Sequence, residues 1–258
     1  MSKLVSFDIF DTTLVRQCGE PRSIFWLLAQ RLFPHDVGQR RAFYEWRKHV
    51  EKAEGGEVFT DFYLHAEERF PQFSRTRMMA EELALEGENL VANPSVRQLI
   101  SRHREAGDDI CFISDMYLPS ETLAAFLRRA GCLMRGEAVY VSCEHHVKKE
   151  TGLLYQKVRT LRNPDRWTHY GDNLQSDVAQ ARQEGIEAHP VDTSYTPLEH
   201  RLLEAAEALP FPRDLKLLAG YHRICRLVPE TDMAALMARH PFSPEALRAF
   251  RALTEAEG

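Results

Sequence analysis

The sequence predicts an α/β fold built around a parallel sheet, and three observations lead to that prediction. Short apolar runs recur along the chain, each run stops at a polar residue, and segments with helical spacing lie between the runs. This alternation is typical of parallel strands joined by crossover helices. Because ligands bind at the carboxyl ends of such strands, the polar residue after each run is a candidate for a functional site. The five runs are KLVSF before Asp8, DICFI before Ser114, EAVYV before Ser142, WTHYG before Asp172 and EAHPV before Asp192.

Composition and charge exclude several classes of protein. A chain of 258 residues, 44% hydrophobic and 28% charged, can bury a sizeable core in one large domain or in a core with a satellite. The net charge of -5 offers no basic surface, so we expect no nucleic-acid partner. The five scattered cysteines predict reduced thiols. The lack of a long apolar segment, with the first run broken by Asp8, predicts a cytoplasmic protein without a membrane span.

The segment between the first and second runs predicts a helical insert. About ninety residues there lack a convincing strand, far more than one crossover helix requires. Four helical patterns, each with one apolar stripe, predict a small antiparallel bundle. They are SIFWLLAQRLF, RRAFYEWRKHVEKAE, TDFYLHAEERF and RTRMMAEELALEGENLV. We therefore expect a core of residues 1–16 and 92–197, an insert of residues 17–91 and a helical C-terminal extension of residues 198–258.

Polar residues that follow the strands form an ordered chemical set. The set comprises a carboxylate at Asp8, a hydroxyl at Ser114, an ammonium at Lys149 and the carboxylate pair Asp172 and Asp177. An aspartate after a strand can simply accept hydrogen bonds from the next turn, so Asp8 alone would indicate little. The four features together, along one edge of a sheet, indicate a single site.

The same four features resemble the motifs of the haloacid dehalogenase superfamily. SFDIFDT is similar to its first motif, CFIS to its second, KKETG to its lysine motif and HYGDNLQSD to its acidic fourth motif. The resemblance extends from residue 3 to about residue 192, and the helical insert stands where that family has a cap domain. With the pattern of the chain, it implies a Rossmann-like parallel sheet core with a helical-bundle cap and a helical C-terminal extension.

The resemblance also implies phosphoryl transfer through an aspartyl-phosphate on Asp8. A hydroxyl and an ammonium can bind the phosphoryl oxygens, which are the roles implied for Ser114 and Lys149. Lys149 is preferred to Lys148 because it stands directly before ETG, as the superfamily's lysine precedes its helix. The expected cofactor is Mg²⁺, a hard cation that binds carboxylate oxygens. Its expected site comprises Asp8, Phe10, Asp172 and Asp177.

Phe10 departs from the pattern of most phosphatases in the superfamily. Two residues after the nucleophile they carry a second aspartate, which protonates the leaving oxygen and then activates water. A phenylalanine moves no proton, and the next carboxylate, Asp11, stands one position later. Taking Asp11 as the nucleophile would lose the threonine expected four residues on, which Thr12 supplies for Asp8. Asp8 therefore remains the nucleophile, and Asp11 is either a turn residue or a substitute catalytic acid.

Three functions remain open from the sequence. The first is a Mg²⁺-dependent phosphohydrolase in which Asp11 or a residue of the insert replaces the missing acid. The second is a dehalogenase-like hydrolase, because haloacid dehalogenases carry an aromatic at this position, although they lack the acidic pair present here as Asp172 and Asp177. The third is a catalytically weak module that binds a phosphate or a sugar phosphate.

Three segments further resemble a subset of the superfamily associated with glycosyltransferases in surface-polysaccharide synthesis. They are FDIFDTTL, ISDMYLPSE and KETGLLY. The implied substrate is a small phosphorylated molecule, with a sugar phosphate or a nucleotide-linked sugar as a candidate. Under that interpretation Asp115, Met116 and Tyr117 lie at the rim of the site; the alternative is a plain loop before a helix. The sequence leaves open an oligomer formed through the cap or the C-terminal helices.

Overall fold

A computed structural model describes residues 3–53, 58–209, 212–240 and 242–256 of the chain. The strands are β1 (Lys3–Phe7), β2 (Leu14–Arg16), β3 (Leu90–Ala92), β4 (Asp109–Ser114), β5 (Ala138–Val141), β6 (Arg166–Gly171) and β7 (Glu187–Pro190). The α-helices are α1 (Ser23–Leu32), α2 (Val37–Ala53), α3 (Ala66–Arg69), α4 (Arg75–Asn89), α5 (Pro94–Glu105), α6 (Ser120–Arg129), α7 (Ser142–His145), α8 (Leu153–Arg162), α9 (Gln180–Gln183), α10 (Pro197–Ala206), α11 (Pro212–Leu227), α12 (Met233–Met237) and α13 (Pro244–Glu255). A 3₁₀ turn spans Asp61–Tyr63, and a π-helical turn spans Leu174–Ala179.

Five parallel strands form the central sheet, in the order β5-β4-β1-β6-β7. The chain runs from β1 to β4 and β5 on one side and then to β6 and β7 on the other, so β1 lies at the switch point of the sheet. Phe7, the last residue of β1, lies opposite Phe112 and Tyr170, and Asp8 follows directly beyond this register. The predicted α/β fold with a parallel sheet is confirmed, and each of the five apolar runs forms a strand.

Apolar side chains cover both faces of the sheet. On one face, β1, β4 and β6 pack against α8, the π-helical turn and α9, with a core that includes Leu4, Ile113, Leu154, Tyr155 and Val178. On the other face, the Phe7 ring stacks on Tyr170 at a centroid distance of 5.2 Å and contacts His103 of α5. Burial on both sides explains why the strands appear in the sequence as nearly continuous apolar runs.

The third predicted helix of the insert is not continuous. TDFYLHAEERF forms the 3₁₀ turn and the short helix α3. Phe59, just before this segment, stacks on Tyr117 at a centroid distance of 6.0 Å, and its N–H donates to the Tyr117 carbonyl. Phe62 packs edge-on against the same ring at 4.8 Å. These contacts with the segment after β4 draw the aromatics off a single helical stripe, so tertiary packing outweighs the local pattern.

The chain divides into two compact units. The sheet unit comprises Met1–Val15, Glu54–His65 and Leu90–Thr193, and the helical unit comprises Arg16–Ala53, Ala66–Asn89 and Ser194–Gly258. The expected C-terminal extension therefore groups with most of the expected insert, whereas residues 54–65 of that insert group with the sheet. Across the described ranges, no helix combines the length and the apolar character that a bilayer span requires.

A close backbone contact helps to build the helical unit. Gly19 has a φ of +75°, and a Cβ there would lie 2.9 Å from the Gly220 Cα. A Cβ on Gly220 would in turn lie 2.6 Å from the Gly19 nitrogen. Glycine at both positions lets the segment after β2 lie directly against α11, which joins the early part of the chain to the C-terminal helices.

Candidate active site

Asp8 is fixed at the carboxyl end of the central strand. Its N–H donates to the Tyr170 carbonyl at 2.8 Å, and its carbonyl accepts the Thr13 hydroxyl at 2.6 Å. The following turn closes through the Leu14 N–H, which donates to the Ile9 carbonyl at 2.7 Å. Asp8 is 6% exposed. Its carboxylate is therefore held at the switch point of the sheet and is almost completely buried.

Lys149 supplies a buried ammonium between two carboxylates. Its Nζ lies 2.5 Å from Asp8 Oδ1 and 2.6 Å from Asp177 Oδ1. The Lys149 N–H donates to the Asp115 carboxylate at 2.8 Å, which fixes the segment that carries the lysine. Lys149 is 3% exposed, whereas the neighbouring Lys148 is exposed. Of the two lysines considered from the sequence, Lys149 is the one that faces the carboxylates.

The acidic motif after β6 depends on glycine and on an unusual helical turn. A Cβ on Gly171 would lie 2.4 Å from the Asp177 carboxylate carbon, so a larger residue there would displace that carboxylate. Asn173 begins the π-helical turn, and its side chain accepts the N–H groups of Gln175 and Ser176. The Asn173 N–H donates to Asp177 Oδ2 at 3.2 Å. Turns of this type are frequent at functional sites, and this one brings Asp177 back towards the strand.

Asp172 is hydrogen-bonded to Thr12, the threonine four residues after Asp8 that favoured Asp8 as the nucleophile. The Thr12 hydroxyl donates to Asp172 Oδ1 and accepts the Asp172 N–H, both at 2.9 Å. Thr12 is fully buried. The hydroxyl therefore joins the segment after β1 to the segment after β6, and it orients the Asp172 carboxylate.

Three carboxylates meet at this edge of the sheet. Asp8, Asp172 and Asp177 each offer an oxygen within 4.8 Å of the other two. Burial raises the pKa of Asp172 to about 6, with Asp11 and Asp177 adding to the rise and the Thr12 hydroxyl opposing it. Burial likewise raises the pKa of Asp8 well above its usual range. These carboxyl groups resist ionisation because they lie close together and are shielded from water. Their oxygen atoms are the ligands that a hard divalent cation such as Mg²⁺ prefers.

The Lys149 ammonium counteracts part of this negative charge. Burial alone would lower its pKa, but the charges of Asp8 and Asp177 outweigh burial and raise it. For Asp177, burial alone would raise the pKa, whereas the Lys149 and His169 side chains lower it well below the ordinary value. The pair of Lys149 and Asp177 therefore stays ionised, whereas Asp8 and Asp172 are the carboxyl groups whose ionised form a bound cation would favour.

The remaining predicted residues occupy the same edge. Ser114 is the last residue of β4, the strand beside β1, and is buried. Phe10 pairs with Leu14 through its backbone, and its phenyl side chain offers no ligand atom, so a contribution to a metal site would come from its carbonyl. Asp11 has a φ of +55°, and its charge adds to the rise in the pKa of Asp172. The conformation is one that aspartate tolerates in turns.

Two neighbours of the site were not predicted. Asp115 was considered only as a rim residue, yet its carboxylate accepts the N–H groups of Lys149 and Glu150. His169 is fully buried in β6, and its Nε2 lies 3.5 Å from Asp177 Oδ1. The sequence contains a weak signal for Asp115, which directly follows Ser114. It contains none for His169, because only the strand register shows that this side chain lies beneath the carboxylates.

Solved structures of the same fold include haloacid dehalogenases. The L-2-haloacid dehalogenase from Xanthobacter autotrophicus shares 16% identity, with 90% of this chain and 100% of that chain covered and a TM-score of 0.55. The 2-haloacid dehalogenase from Pseudomonas syringae pv. Tomato DC3000 shares 16% identity, with 75% and 87% covered and a TM-score of 0.53. A protein assigned as a β-phosphoglucomutase from Thermotoga maritima shares 16% identity, with 84% and 97% covered and a TM-score of 0.53.

Comparisons at the level of sequence are negative. No family model matches the chain, and no curated protein matches it significantly. Identities of this size establish the architecture alone. The chain has the haloacid dehalogenase-like fold that its four motifs predicted.

Proposed function

We propose that the chain is a Mg²⁺-dependent phosphohydrolase that transfers a phosphoryl group to Asp8. The observation that carries the proposal is the cluster of Asp8, Asp172 and Asp177 beside the Lys149 ammonium. Two buried carboxylates and a half-buried one at the same edge of a sheet are costly unless cations join them, and their oxygens suit Mg²⁺. The cluster combines a nucleophile with a place to neutralise the charge of a phosphoryl group.

The proposed reaction begins with attack by an Asp8 carboxylate oxygen on phosphorus. Lys149 holds Oδ1 at 2.5 Å, which leaves Oδ2 for the attack. The bond from phosphorus to the leaving oxygen breaks, and an aspartyl-phosphate forms. Water then attacks phosphorus, which releases phosphate and regenerates Asp8. Bound Mg²⁺ would neutralise charge between the carboxylates and the phosphoryl oxygens, while Ser114 and Lys149 bind those oxygens.

Phe10 restricts which leaving groups this site can expel. General acid–base catalysis contributes about 10²–10⁴-fold, so a site without a proton donor favours leaving groups that need little protonation. Asp11 is the carboxylate next to Phe10 in the sequence, and its charge adds to the rise in the pKa of Asp172. We propose Asp11 as the acid for leaving groups that need a proton.

The proposed substrate is a small phosphorylated molecule. The resemblance of FDIFDTTL, ISDMYLPSE and KETGLLY to proteins associated with glycosyltransferases favours a sugar phosphate or a nucleotide-linked sugar. A cavity of about 570 Å³ is lined by residues that include Asp115, Met116, Tyr117 and Lys148. These residues neighbour Ser114 and Lys149 in the sequence. Its mixed polar and apolar walls suit a molecule that has both hydroxyl groups and a carbon framework.

A dehalogenase is the second candidate, and Phe10 is the observation that favours it. Attack by Asp8 on a carbon–halogen bond releases halide, which needs no proton, so an aromatic residue at this position is no handicap. The acidic cluster argues against this function, because the dehalogenase reaction uses no metal. The two candidates therefore differ in their dependence on Mg²⁺.

The test is a screen of phosphorylated metabolites with Mg²⁺ and with EDTA. We expect phosphate release that requires Mg²⁺ and disappears in Asp8→Asn, an isosteric change that removes the nucleophile. Asp109→Asn, the same change at a half-exposed aspartate of β4, serves as the matched control and should retain activity.

Three outcomes separate the candidates. Phosphate release at equal rates in the Asp8→Asn variant would overturn the proposal. Chloride release from 2-chloropropionate without Mg²⁺ would favour the dehalogenase. Binding of Mg²⁺ and beryllofluoride without turnover of any substrate would indicate a phosphate-binding module.

A further inference from the structure

A chain of buried polar side chains lies beneath the site. The Trp167 Nε1–H donates to the Ser6 hydroxyl at 2.8 Å, and the same hydroxyl lies 2.7 Å from His169 Nδ1. On the far side of the ring, His169 Nε2 lies 3.5 Å from Asp177 Oδ1. Within the described ranges, this Nε2 is fully buried and makes no contact short enough to be an ordinary hydrogen bond. The reaction proposed above assigns no role to Trp167, Ser6 or His169.

The hydrogen-bond donors among these side chains determine which nitrogen of His169 carries the proton. An indole N–H can only donate, so the Ser6 oxygen accepts from Trp167. The Ser6 hydroxyl hydrogen then points to Nδ1, because in that arrangement the Trp167 N–H, the Ser6 hydroxyl and Nδ1 each have a partner. Nδ1 is therefore the acceptor, and the proton of the neutral ring lies on Nε2 and faces Asp177.

We infer that His169 is a positioning residue, which directs the Nε2–H at Asp177 and sets the orientation of that carboxylate. Lys149 and His169 both face Oδ1, while the Asn173 N–H meets Oδ2 at 3.2 Å. Donors on both oxygens limit rotation of the carboxylate and so hold it in one orientation, as a metal ligand requires. The inference rests on the proposed function for its link to catalysis, but not for the arrangement of protons.

Nuclear magnetic resonance of the imidazole nitrogens tests that arrangement in the full chain. With ¹⁵N-labelled histidine and His169→Gln for assignment, we expect the His169 signal of the Nε2–H tautomer. In Ser6→Ala, which removes the donor to Nδ1, the signal of the unprotonated Nδ1 should move to higher frequency, because that nitrogen loses its hydrogen bond. A wild-type signal from the Nδ1–H tautomer, or a Ser6→Ala signal identical to wild type, would overturn the inference.

Mg²⁺ affinity tests the link to the site. Loss of a group that orients a metal ligand typically weakens metal binding by about 10–100-fold, so His169→Phe should bind Mg²⁺ at least about tenfold more weakly. His169→Gln keeps an N–H near the Nε2 position and should restore affinity to within about threefold of wild type. His103→Phe is the matched control, since His103 is also mostly buried and pairs with Asp108 at 2.6 Å on the other face of the sheet.

The outcomes distinguish this inference from the proposed function. Equal Mg²⁺ affinity in His169→Phe and His103→Phe, with similar losses of Tm, would reduce His169 to a packing residue and overturn the inference. Should His169→Phe fail to fold, Ser6→Ala carries the same test, with an expected loss of about three- to tenfold in affinity. A chain that releases no phosphate but has the Nε2–H tautomer and the predicted order of affinities would contradict the proposed function alone.

Discussion

Both units of the molecule bury carboxylates beside cationic side chains, but they balance the charges differently. In the helical unit, Arg47 donates through Nε and Nη2 to the two oxygens of Glu82, each at 2.8 Å. Arg16 similarly donates to Glu86 at 2.7 Å. Each carboxylate in these contacts has a guanidinium of its own, in a geometry that suits planar groups.

The edge of the sheet unit instead has more carboxyl groups than cationic side chains. Asp8 and Asp177 share the Lys149 ammonium, and Asp172 is held by the neutral Thr12 hydroxyl. A buried pair that is already balanced can only stabilise or specify the fold, whereas a buried excess of carboxylate can take up a cation. The comparison predicts that Mg²⁺ acts on variants of the sheet edge and has no effect on variants of the helical pairs.

Replacement of Lys149 should have the largest effect. Lys149→Met leaves Asp8 and Asp177 buried without their ammonium, so we expect a loss of about 3–5 kcal/mol in the free energy of unfolding. Turnover should fall by at least about 10³-fold, because charge on the phosphoryl group loses a partner. Denaturant unfolding with and without Mg²⁺ measures the first effect, and Mg²⁺ should recover part of it. Lys148→Met, at the exposed neighbour, should stay within about 0.5 kcal/mol of wild type.

Replacement of Arg47 should be the next largest. Arg47→Met leaves Glu82 buried without its guanidinium and should cost about 3 kcal/mol in the free energy of unfolding. The double variant with Glu82→Leu should recover most of that loss, because it removes both charges. Denaturant unfolding of the single and double variants, repeated with Mg²⁺, checks this. A recovery of Arg47→Met by Mg²⁺ would contradict the contrast between the two units.

The stability of the metal-free protein and its response to Mg²⁺ should change with pH in opposite directions. The pKa of Asp172 is about 6 in the folded chain, against 3.8 ordinarily, so between these values the folded state binds the extra proton. The contribution of Asp172 to metal-free stability therefore rises as pH falls from 7 towards 4. A proton on Asp172 competes with the cation, so Mg²⁺ affinity should weaken below about pH 6. Thermal unfolding and calorimetric titration between pH 5 and about 8 measure the two trends; Mg²⁺ affinity constant over that range would contradict the assignment.

The smallest effect is expected at Glu199, which lies in the first turn of α10 in the helical unit. Burial alone would raise its pKa, but His222 and Arg226 outweigh burial and lower it to about 2. Its carboxylate also accepts the Thr196 N–H at 2.8 Å. Glu199→Gln should cost about 1–2 kcal/mol at neutral pH. Since the folded pKa lies below the ordinary 4.5, the difference from wild type should shrink as pH falls from about 4.5 towards 2. Denaturant unfolding across this range is the measurement.

The sheet could be predicted because its strands carry a local signal. Each apolar run from KLVSF to EAHPV forms a strand of the parallel sheet. The residues brought together at its edge also follow from order, since parallel strands end at the same side. Asp8 directly follows β1, whereas Asp177 and Lys149 follow the ends of β6 and β5 by six and eight residues. The short strands β2 and β3 could not be predicted, because three residues are too few to show an alternating pattern.

Contacts between distant parts of the chain could not be predicted. The break after the 3₁₀ turn depends on Phe59 and Phe62 meeting Tyr117, and nothing in the local sequence indicates that partner. The grouping of the C-terminal helices with α1 and α2 depends on Gly19 and Gly220, whose closeness is visible only in three dimensions. The role of His169 could not be predicted for the same reason, because its position next to Asp177 depends on strand register.

The interleaving of the two units along the chain has a consequence for synthesis on the ribosome. All segments of the sheet unit have been made once Thr193 emerges, so that unit can close its core during translation. The helical unit begins earlier, at Arg16, but requires Ser194–Gly258, which are made after every segment of the sheet unit. Until then α1 lacks the contacts that it makes with α11 in the folded helical unit. A premature stop after Thr193 would therefore release a chain with a complete sheet and an unfinished helical unit, a form prone to aggregate or to occupy chaperones.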